Sequence, residues 1–275
     1  MKPSEQKRAL ASAVKAAHAA GKLMRQNLRA TKKVNEATLH DIKLELDVRC
    51  QKLIEKTLLA SFPKVSVVGE EGSSGDPNSA ERWVIDPIDG TVNFTYGIPH
   101  ACVSIALQVQ GSLQTATKSK VQSHQTVLGV VYDPFQDELW TAIRGKPARL
   151  NGRIIRVSKH RELGETVVAT GFSKTVETLN EALPYFNKLV HRVRKVRTMG
   201  SAALALTYVA TGRFDAYIEK GISLWDIAAG GLIIECAGGE FWRKPIPSDH
   251  KFQMIASNGL LRKKLTGFGS YEGGK

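Results

Sequence analysis

Apolar positions Leu10, Ala13, Val14, Ala17, Gly21, Met24 and Leu28 recur at helical spacing, so the pattern predicts an amphipathic helix over about residues 5–29. A polar link, TKKVNEATLH, follows. A second helix is predicted from about Asp47 to Ser61, with Leu53, Ile54 and Leu58 inward and Pro63 closing it. VSVV and WVID read as short strands, separated by GEEGSSGDPNS, a loop rich in glycine, serine and acid. ACVSIALQV alternates, with Ala101, Val103, Ile105, Leu107 and Val109 on one face. TVLGVVYDP and ELWTAI continue as antiparallel strands, and RLNGRIIRV holds an Asn-Gly turn. Between ACVSIALQV and TVLGVVYDP lies SLQTATKSKVQSHQ, read as an exposed loop because it is long and hydrophilic.

The second half predicts a strand at VVAT, a helix near residues 176–190 and a strand at KVRTM. A helix from Ser201 to Thr211, a strand at FDAYIE, a helix from about Leu224 to Ala237 and a strand at GEF come next. The strand MIAS and a short helix close the pattern, and YEGGK reads as a frayed tail. Helices and strands alternate without a strict βαβ rhythm around a meandering middle. Stacked sheets and helices are therefore expected, not one doubly wound sheet.

No stretch approaches the length of a membrane span, and the charged N-terminus lacks the apolar run of a signal peptide. Three scattered cysteines, Cys50, Cys102 and Cys236, fit reduced thiols in a cytoplasmic protein. The net charge of +13 raises the question of an RNA partner. Its densest runs, Lys188 to Arg197 and Arg262 to Lys264, interleave no aromatics, which favours a solvated basic face over a single-strand platform.

Carboxylates punctuate the apolar segments: Glu70 and Glu71 after VSVVG, Asp86 and Asp89 after WVI, Asp226 inside SLWDIAAGG, and Asp47 heading the second helix. Each alone is an ordinary turn former, cap or first-turn acid. Together they would repel one another in a single pocket unless a hard divalent cation were shared among them. In DPIDG, Pro87 fixes one backbone angle and Gly90 permits close approach of a ligand, so Asp86, Asp89 and the Ile88 carbonyl could face one pocket from a stiffened turn. The seven histidines form no metal-spaced pair; His100 and Ser223 read as supporting or packing residues.

WVIDPIDGTVNF, VVGEEG and LWDIAAGGLIIECAGGE resemble the inositol monophosphatase family of Mg²⁺-dependent, lithium-sensitive phosphatases, and the resemblance covers nearly the whole chain. It implies a five-layer αβαβα sandwich of the α/β (α+β) class, one catalytic domain over residues 1–275 with lobes of about 1–150 and 151–270, and a homodimer. It implies two Mg²⁺ ions, with room for a third, on Glu70, Asp86, the Ile88 carbonyl, Asp89 and Asp226. Gly90 and Thr91 match the phosphate-binding amides, and Asp47 and Thr91 the pair that orients the attacking water. Gly200, Ser201 and Ala202 match the substrate-contacting stretch, and Glu219 the acid that binds a sugar or inositol hydroxyl.

Two departures bear on the third metal and on loop closure. The chain reads DIKLELD over Asp41 to Asp47, with Leu44 where the family has threonine. Glu36 occupies the place of a loop lysine, with Lys32 and Lys33 nearby. Val92, Asn93 and Phe94 after DGT resemble the inositol and sugar-phosphate branch. Fructose 1,6-bisphosphate, histidinol phosphate and 3′-phosphoadenosine 5′-phosphate remain alternative substrates, and an RNA- or transcription-associated role is the alternative from another class.

Overall fold

In the computed structural model, which describes residues 2–37, 42–76, 79–114, 120–172, 176–248 and 250–266, two sheets alternate with three helical layers. The chain begins with helix α1 (Pro3–Asn27), strands β1 (Val34–Ala37) and β2 (Ile42–Leu44), and helix α2 (Glu45–Leu59). Strands β3 (Ser66–Gly69), β4 (Gly72–Ser74) and β5 (Glu81–Asp89), the one-turn helix α3 (Thr91–Thr95), and strands β6 (Cys102–Gln114), β7 (Lys120–Asp133), β8 (Glu138–Ile143), β9 (Arg149–Leu150) and β10 (Arg153–Ile154) follow. The remainder comprises β11 (Val167–Thr170), α4 (Val176–Val190), β12 (Lys195–Arg197), α5 (Ala202–Ala210), β13 (Ala216–Ser223), α6 (Leu224–Cys236), β14 (Glu240–Pro245), β15 (Lys251–Ser257) and α7 (Arg262–Thr266). An eight-stranded sheet has the order β10-β9-β8-β7-β6-β5-β3-β4, and a five-stranded sheet the order β12-β11-β13-β15-β14.

Three cores hold the layers together. The small-residue face of α1 (Ala9, Ala13, Ala16, Ala17, Ala20) and α2 (Cys50, Ile54, Leu58) pack on Trp83, Ile85, Ile105 and Leu107 of the larger sheet. The nearly all-apolar helices α5 and α6 fill the space between the sheets, meeting Val84, Ala106 and Val131 on one side and Tyr217, Met254 and Ala256 on the other. Tyr185 and Leu189 of α4 and Leu265 of α7 cover the outer face of the smaller sheet against Val168, Ile218 and Ile255. The result is the αβαβα sandwich. Helices α5 and α6 carry no amphipathic stripe because both flanks are buried. Among the described residues no helix is long and apolar enough to cross a membrane.

Most expected elements lie within a few residues of their places. The Asn-Gly turn is the β9–β10 hairpin, with Asn151 at φ 47° and Gly152 at φ 79°. Three expectations need correction. The polar link after α1 contains β1, which pairs antiparallel with β2. The acidic loop contains β4, paired with β3 from Val67–Ser74 to Gly69–Gly72. The hydrophilic stretch read as a loop is largely ladder: β6 and β7 stay paired from Gln110–His124 out to Gln114–Lys120. A two-stranded ribbon is held by main-chain bonds and needs no apolar alternation, so hydropathy does not reveal it. Residues 115–119 and the YEGGK tail lie outside the described residues.

Candidate metal and active site

The DPID segment is not a turn after a strand but the end of β5 itself. Pairing with β6 runs regularly to Asp86–Ser104, slips, and resumes at Asp89–Cys102. Three residues on β5 thus span the distance of two on β6, which is a β-bulge. The consequence is a change of face. In an unbroken strand, residues three apart point to opposite sides. Here the extra residue sends Ile88 into the outer core, with Trp83 and Ile85. Asp86 and Asp89 both turn toward the middle layer, and the Ile88 N–H closes on Asp86 Oδ1 at 3.0 Å.

Parallel pairing brings the next acid alongside. Strand β3 runs parallel to β5 with Gly69 opposite Ile85, and the Glu70 N–H continues the ladder to the Ile85 carbonyl at 3.1 Å. Glu70 therefore emerges at the same C-terminal edge as Asp86. The loop behind it is gripped by α2: Gln51 accepts from the Glu71 N–H at 2.9 Å and donates to the Gly72 carbonyl at 2.9 Å. Asp47 lies one turn earlier on α2, buried, with Oδ2 accepting the Leu44 N–H at 2.7 Å.

Asp226 comes from the other side of the middle layer. It is the third residue of α6, and its Oδ2 accepts the Ser223 N–H at 2.9 Å. Asp47 and Asp226 are thus oriented by the same device, a carboxylate one turn into a helix reaching back to the preceding amide. Ser104 of β6 donates to the Trp225 carbonyl at 3.1 Å and fixes the start of α6 against the larger sheet. The outcome is convergence: carboxylate oxygens of Asp86, Asp89 and Asp226 all lie within 4.8 Å of one another.

Burial and neighbouring charge raise Glu70, Asp86, Asp89 and Glu219. Glu70 is pushed up to about 8, first by loss of water and then by Asp226, Asp47 and Glu71. Asp86 rises well above the usual carboxylate range through burial and the charges of Glu70, Asp89 and Asp226. Asp89 rises only to about 6, because hydrogen bonds from Ser201, Ala203 and Ala202 favour its anion. Glu219 on β13 is raised to about 7 by burial, with Asp226 and Asp89 adding to the rise and the Tyr217 hydroxyl opposing it. Glu219 fits there because Gly171 has no side chain: a Cβ at that position would lie 1.9 Å from Glu219 Oε2.

A set of hard oxygen donors this close, buried and mutually repelling, fits divalent magnesium, which the donor atoms and charges satisfy without softer ligands. Two neighbouring groups are engaged within the protein. The Thr91 hydroxyl donates to the Ile88 carbonyl at 2.9 Å, so its one proton is not directed at Asp47. That carbonyl oxygen keeps a second lone pair for a cation. Ser201 and the amides of Ala202 and Ala203 donate to Asp89 at 2.5, 3.1 and 2.7 Å. Gly90, at φ 97°, opens α3, and a Cβ there would meet the His100 carbonyl at 2.9 Å. Leu44 is buried in the outer core and brings no oxygen, and Glu36 is exposed on β1. Asp41 lies outside the described residues.

Asn93, Gln51 and Tyr217 were not legible as site residues. Gln51 lies four residues after Asp47, a spacing that places both on one face of α2 and could have revealed it. His100 and Ser223 are supporting residues, the first through its carbonyl to Asn93 at 2.9 Å and the second through Lys251 Nζ at 2.6 Å. All three cysteines are free thiols; Cys102 lies in the middle core, and Cys236 packs against it half-buried.

Known proteins resemble the chain in sequence and fold. A curated relative, Nus factor SuhB of Pasteurella multocida, is 39% identical over 235 residues, covering 82% of each chain. Inositol monophosphatase 1 of Solanum lycopersicum is 39% identical over 257 residues, covering 90% of this chain and 87% of its own. The crystal structure of the extragenic suppressor protein suhB from Bartonella henselae superposes with a TM-score of 0.84 at 34% identity, over 97% of this chain and 99% of that one. The sequence pattern of the Inositol monophosphatase family matches residues 5–244. With its acids gathered at the shared edge of β3 and β5 and at the head of α6, the chain belongs to the inositol monophosphatase family.

Proposed function

We propose that the chain hydrolyses a phosphate monoester of a small polyol or sugar, inositol monophosphate foremost, in a Mg²⁺-dependent reaction. The observation that carries this reading is the convergence of Asp86, Asp89 and Asp226 within 4.8 Å, beside Glu70. Glu70, Asp86 and the Ile88 carbonyl would hold one ion, and Asp86, Asp89 and Asp226 a second. When bound, magnesium supplies Lewis-acid activation of water and neutralises charge on the phosphoryl group and the leaving oxygen.

The chain's own groups do the positioning. Amides of Gly90 and Thr91, at the start of a turn whose first N–H groups have no helical acceptor, donate to phosphate oxygens. Thr91 Oγ1 accepts a hydrogen bond from the attacking water, and Asp47 takes up the one proton that this water loses as the new P–O bond forms. The ester P–O bond breaks in line, and the departing oxygen takes a proton from solvent water to become the alcohol. Glu219 accepts a hydrogen bond from a hydroxyl of the substrate ring. The Tyr217 hydroxyl and the space left by Gly171 fix the position of Glu219.

A substrate panel tests this reading. Phosphate release from myo-inositol 1-phosphate is expected to exceed that from fructose 1,6-bisphosphate, histidinol phosphate and 3′-phosphoadenosine 5′-phosphate. Glu219→Gln should narrow the preference by about 10-fold, mainly through KM, because only a ground-state hydroxyl contact is weakened. Equal rates across the panel would remove the polyol assignment.

A second reading, association with RNA as part of transcription, has its own support. The Pasteurella relative is named a Nus factor. The two basic runs, distant in sequence, also meet in space: Arg192 and Lys264 line one hollow of about 430 Å³. Lys188, Arg194, Lys195 and Arg197 of the same run as Arg192 are exposed. Affinity for a single-stranded RNA should fall at least about tenfold between 50 and 200 mM salt. The fall should shrink in an Arg192→Ala, Arg194→Ala, Lys264→Ala variant. Salt-independent binding would exclude this basic face as its origin.

A further inference from the structure

We propose that Ser201 and Asn93 are positioning residues that lock Asp89 as a one-oxygen donor to the cation site. The inference rests on the reading of Asp89 as a magnesium ligand. A carboxylate has about four lone-pair positions, two on each oxygen. On Asp89, Oδ2 accepts from Ser201 Oγ at 2.5 Å and the Ala203 amide at 2.7 Å, with Cys102 Sγ at 3.6 Å as a third, weaker neighbour. Its capacity is filled. Among the described residues Oδ1 accepts only from the Ala202 amide at 3.1 Å, which leaves one position open. Asp89 therefore offers a cation a single oxygen with its orientation set in advance.

The donors that fill Oδ2 belong to the turn entering α5, and Asn93 sets that turn. The two protons of Asn93 Nδ2 fork to the His100 carbonyl at 2.9 Å and the Met199 carbonyl at 2.8 Å. One bond ends beside the larger sheet and the other on the strand-to-helix turn of the smaller one. Gly200 then takes a left-handed φ of 73°, and a Cβ there would sit 2.9 Å from Asn93 Nδ2. The turn delivers Ser201, 4% exposed, and the next two amides onto Asp89, 7% exposed. The stretch matched to substrate contact thus acts on a substrate through Asp89, since its hydroxyl and two of its amides are already engaged there. Asn93, two residues beyond Thr91, links the phosphate-binding turn to the ligand carboxylate.

Direct metal binding provides the test. Metal-free wild type, Ser201→Ala, Ser201→Thr and Asn93→Ala proteins are titrated with Mg²⁺ by calorimetry and with Mn²⁺ by loss of the free-ion spectroscopic signal, alongside thermal midpoints. Losing an orienting partner of a metal ligand weakens affinity by about 10- to 100-fold. Ser201→Ala and Asn93→Ala are expected to weaken the weaker-binding ion by about 10-fold, and Ser201→Thr, which keeps the hydroxyl, to remain within about 2-fold of wild type. A purely structural role would lower the thermal midpoint and leave the affinity of the folded fraction unchanged, which overturns the proposal. Wild-type affinity in Ser201→Ala overturns it also. If the wild type binds both ions as expected but hydrolyses nothing on the substrate panel, the proposed reaction fails while the Asp89 lock stands.

Discussion

Asp86→Asn is expected to lower Mg²⁺-dependent phosphate release by about three orders of magnitude, equivalent to about 4 kcal/mol of transition-state stabilisation. The reason lies in its position. Asp86 is fully buried at the centre of the group, with Glu70 on one side and Asp89 and Asp226 on the other, so both proposed ion positions draw on it. Asparagine keeps the shape, and its side-chain oxygen still accepts the Ile88 N–H that closes the bulge at 3.0 Å. It loses the charge. The fold should therefore survive, and the metal-free variant should melt no lower than wild type, because one of several repelling carboxylates is gone. Steady-state kinetics at saturating Mg²⁺, paired with a thermal scan, checks both halves. Near-normal activity in this variant would remove the two-ion reading.

The second large effect couples pH, metal and stability. Glu70 rises from 4.5 to about 8, Asp89 from 3.8 to about 6, and Glu219 from 4.5 to about 7. A carboxyl raised in the folded state holds its proton where the unfolded chain has already released one. Between about pH 4 and pH 8 the folded form binds more protons than the unfolded form, so stability falls as pH rises through this window. The metal-free protein should lose on the order of 5 °C in its thermal midpoint from pH 5 to pH 8. Glu70→Gln should lose less, which separates the site from the pH dependence of the whole basic surface. Added Mg²⁺ binds the deprotonated acids and competes with protons, so its stabilisation should be greater at pH 8 than at pH 5. Equal metal stabilisation at both pH values would show that these acids do not hold the ion. Thermal scans at fixed ionic strength, with Mg²⁺ or with chelator, decide it.

The helices were legible because long amphipathic or wholly apolar runs announce themselves, as in α1 and α6. The acidic set was legible for a different reason: carboxylates beside glycine at the ends of apolar runs are costly without a cation. The geometry that joins them was not. Asp86 and Asp89 read as a pair in a turn, whereas a strand bulge aims them, and a bulge depends on the pairing partner and leaves little local trace. The polar ribbon of β6 and β7 was hidden because main-chain pairing carries it. Asn93 escaped notice because its two acceptors, the His100 and Met199 carbonyls, belong to segments 7 and 106 residues away. The engagement of Ser201 with Asp89 spans 112 residues and was equally invisible.

The slip in register between Asp86–Ser104 and Asp89–Cys102 makes the site a matter of counting as well as of chemistry. Were the same residues paired without that slip, simple alternation would carry the later carboxylate into the outer apolar core and an isoleucine toward the other acids, with every side chain still present. Evolution can exchange groups around this edge one at a time. It cannot straighten the edge while keeping three steps between the aspartates, because odd and even decide which side of the sheet each carboxylate faces.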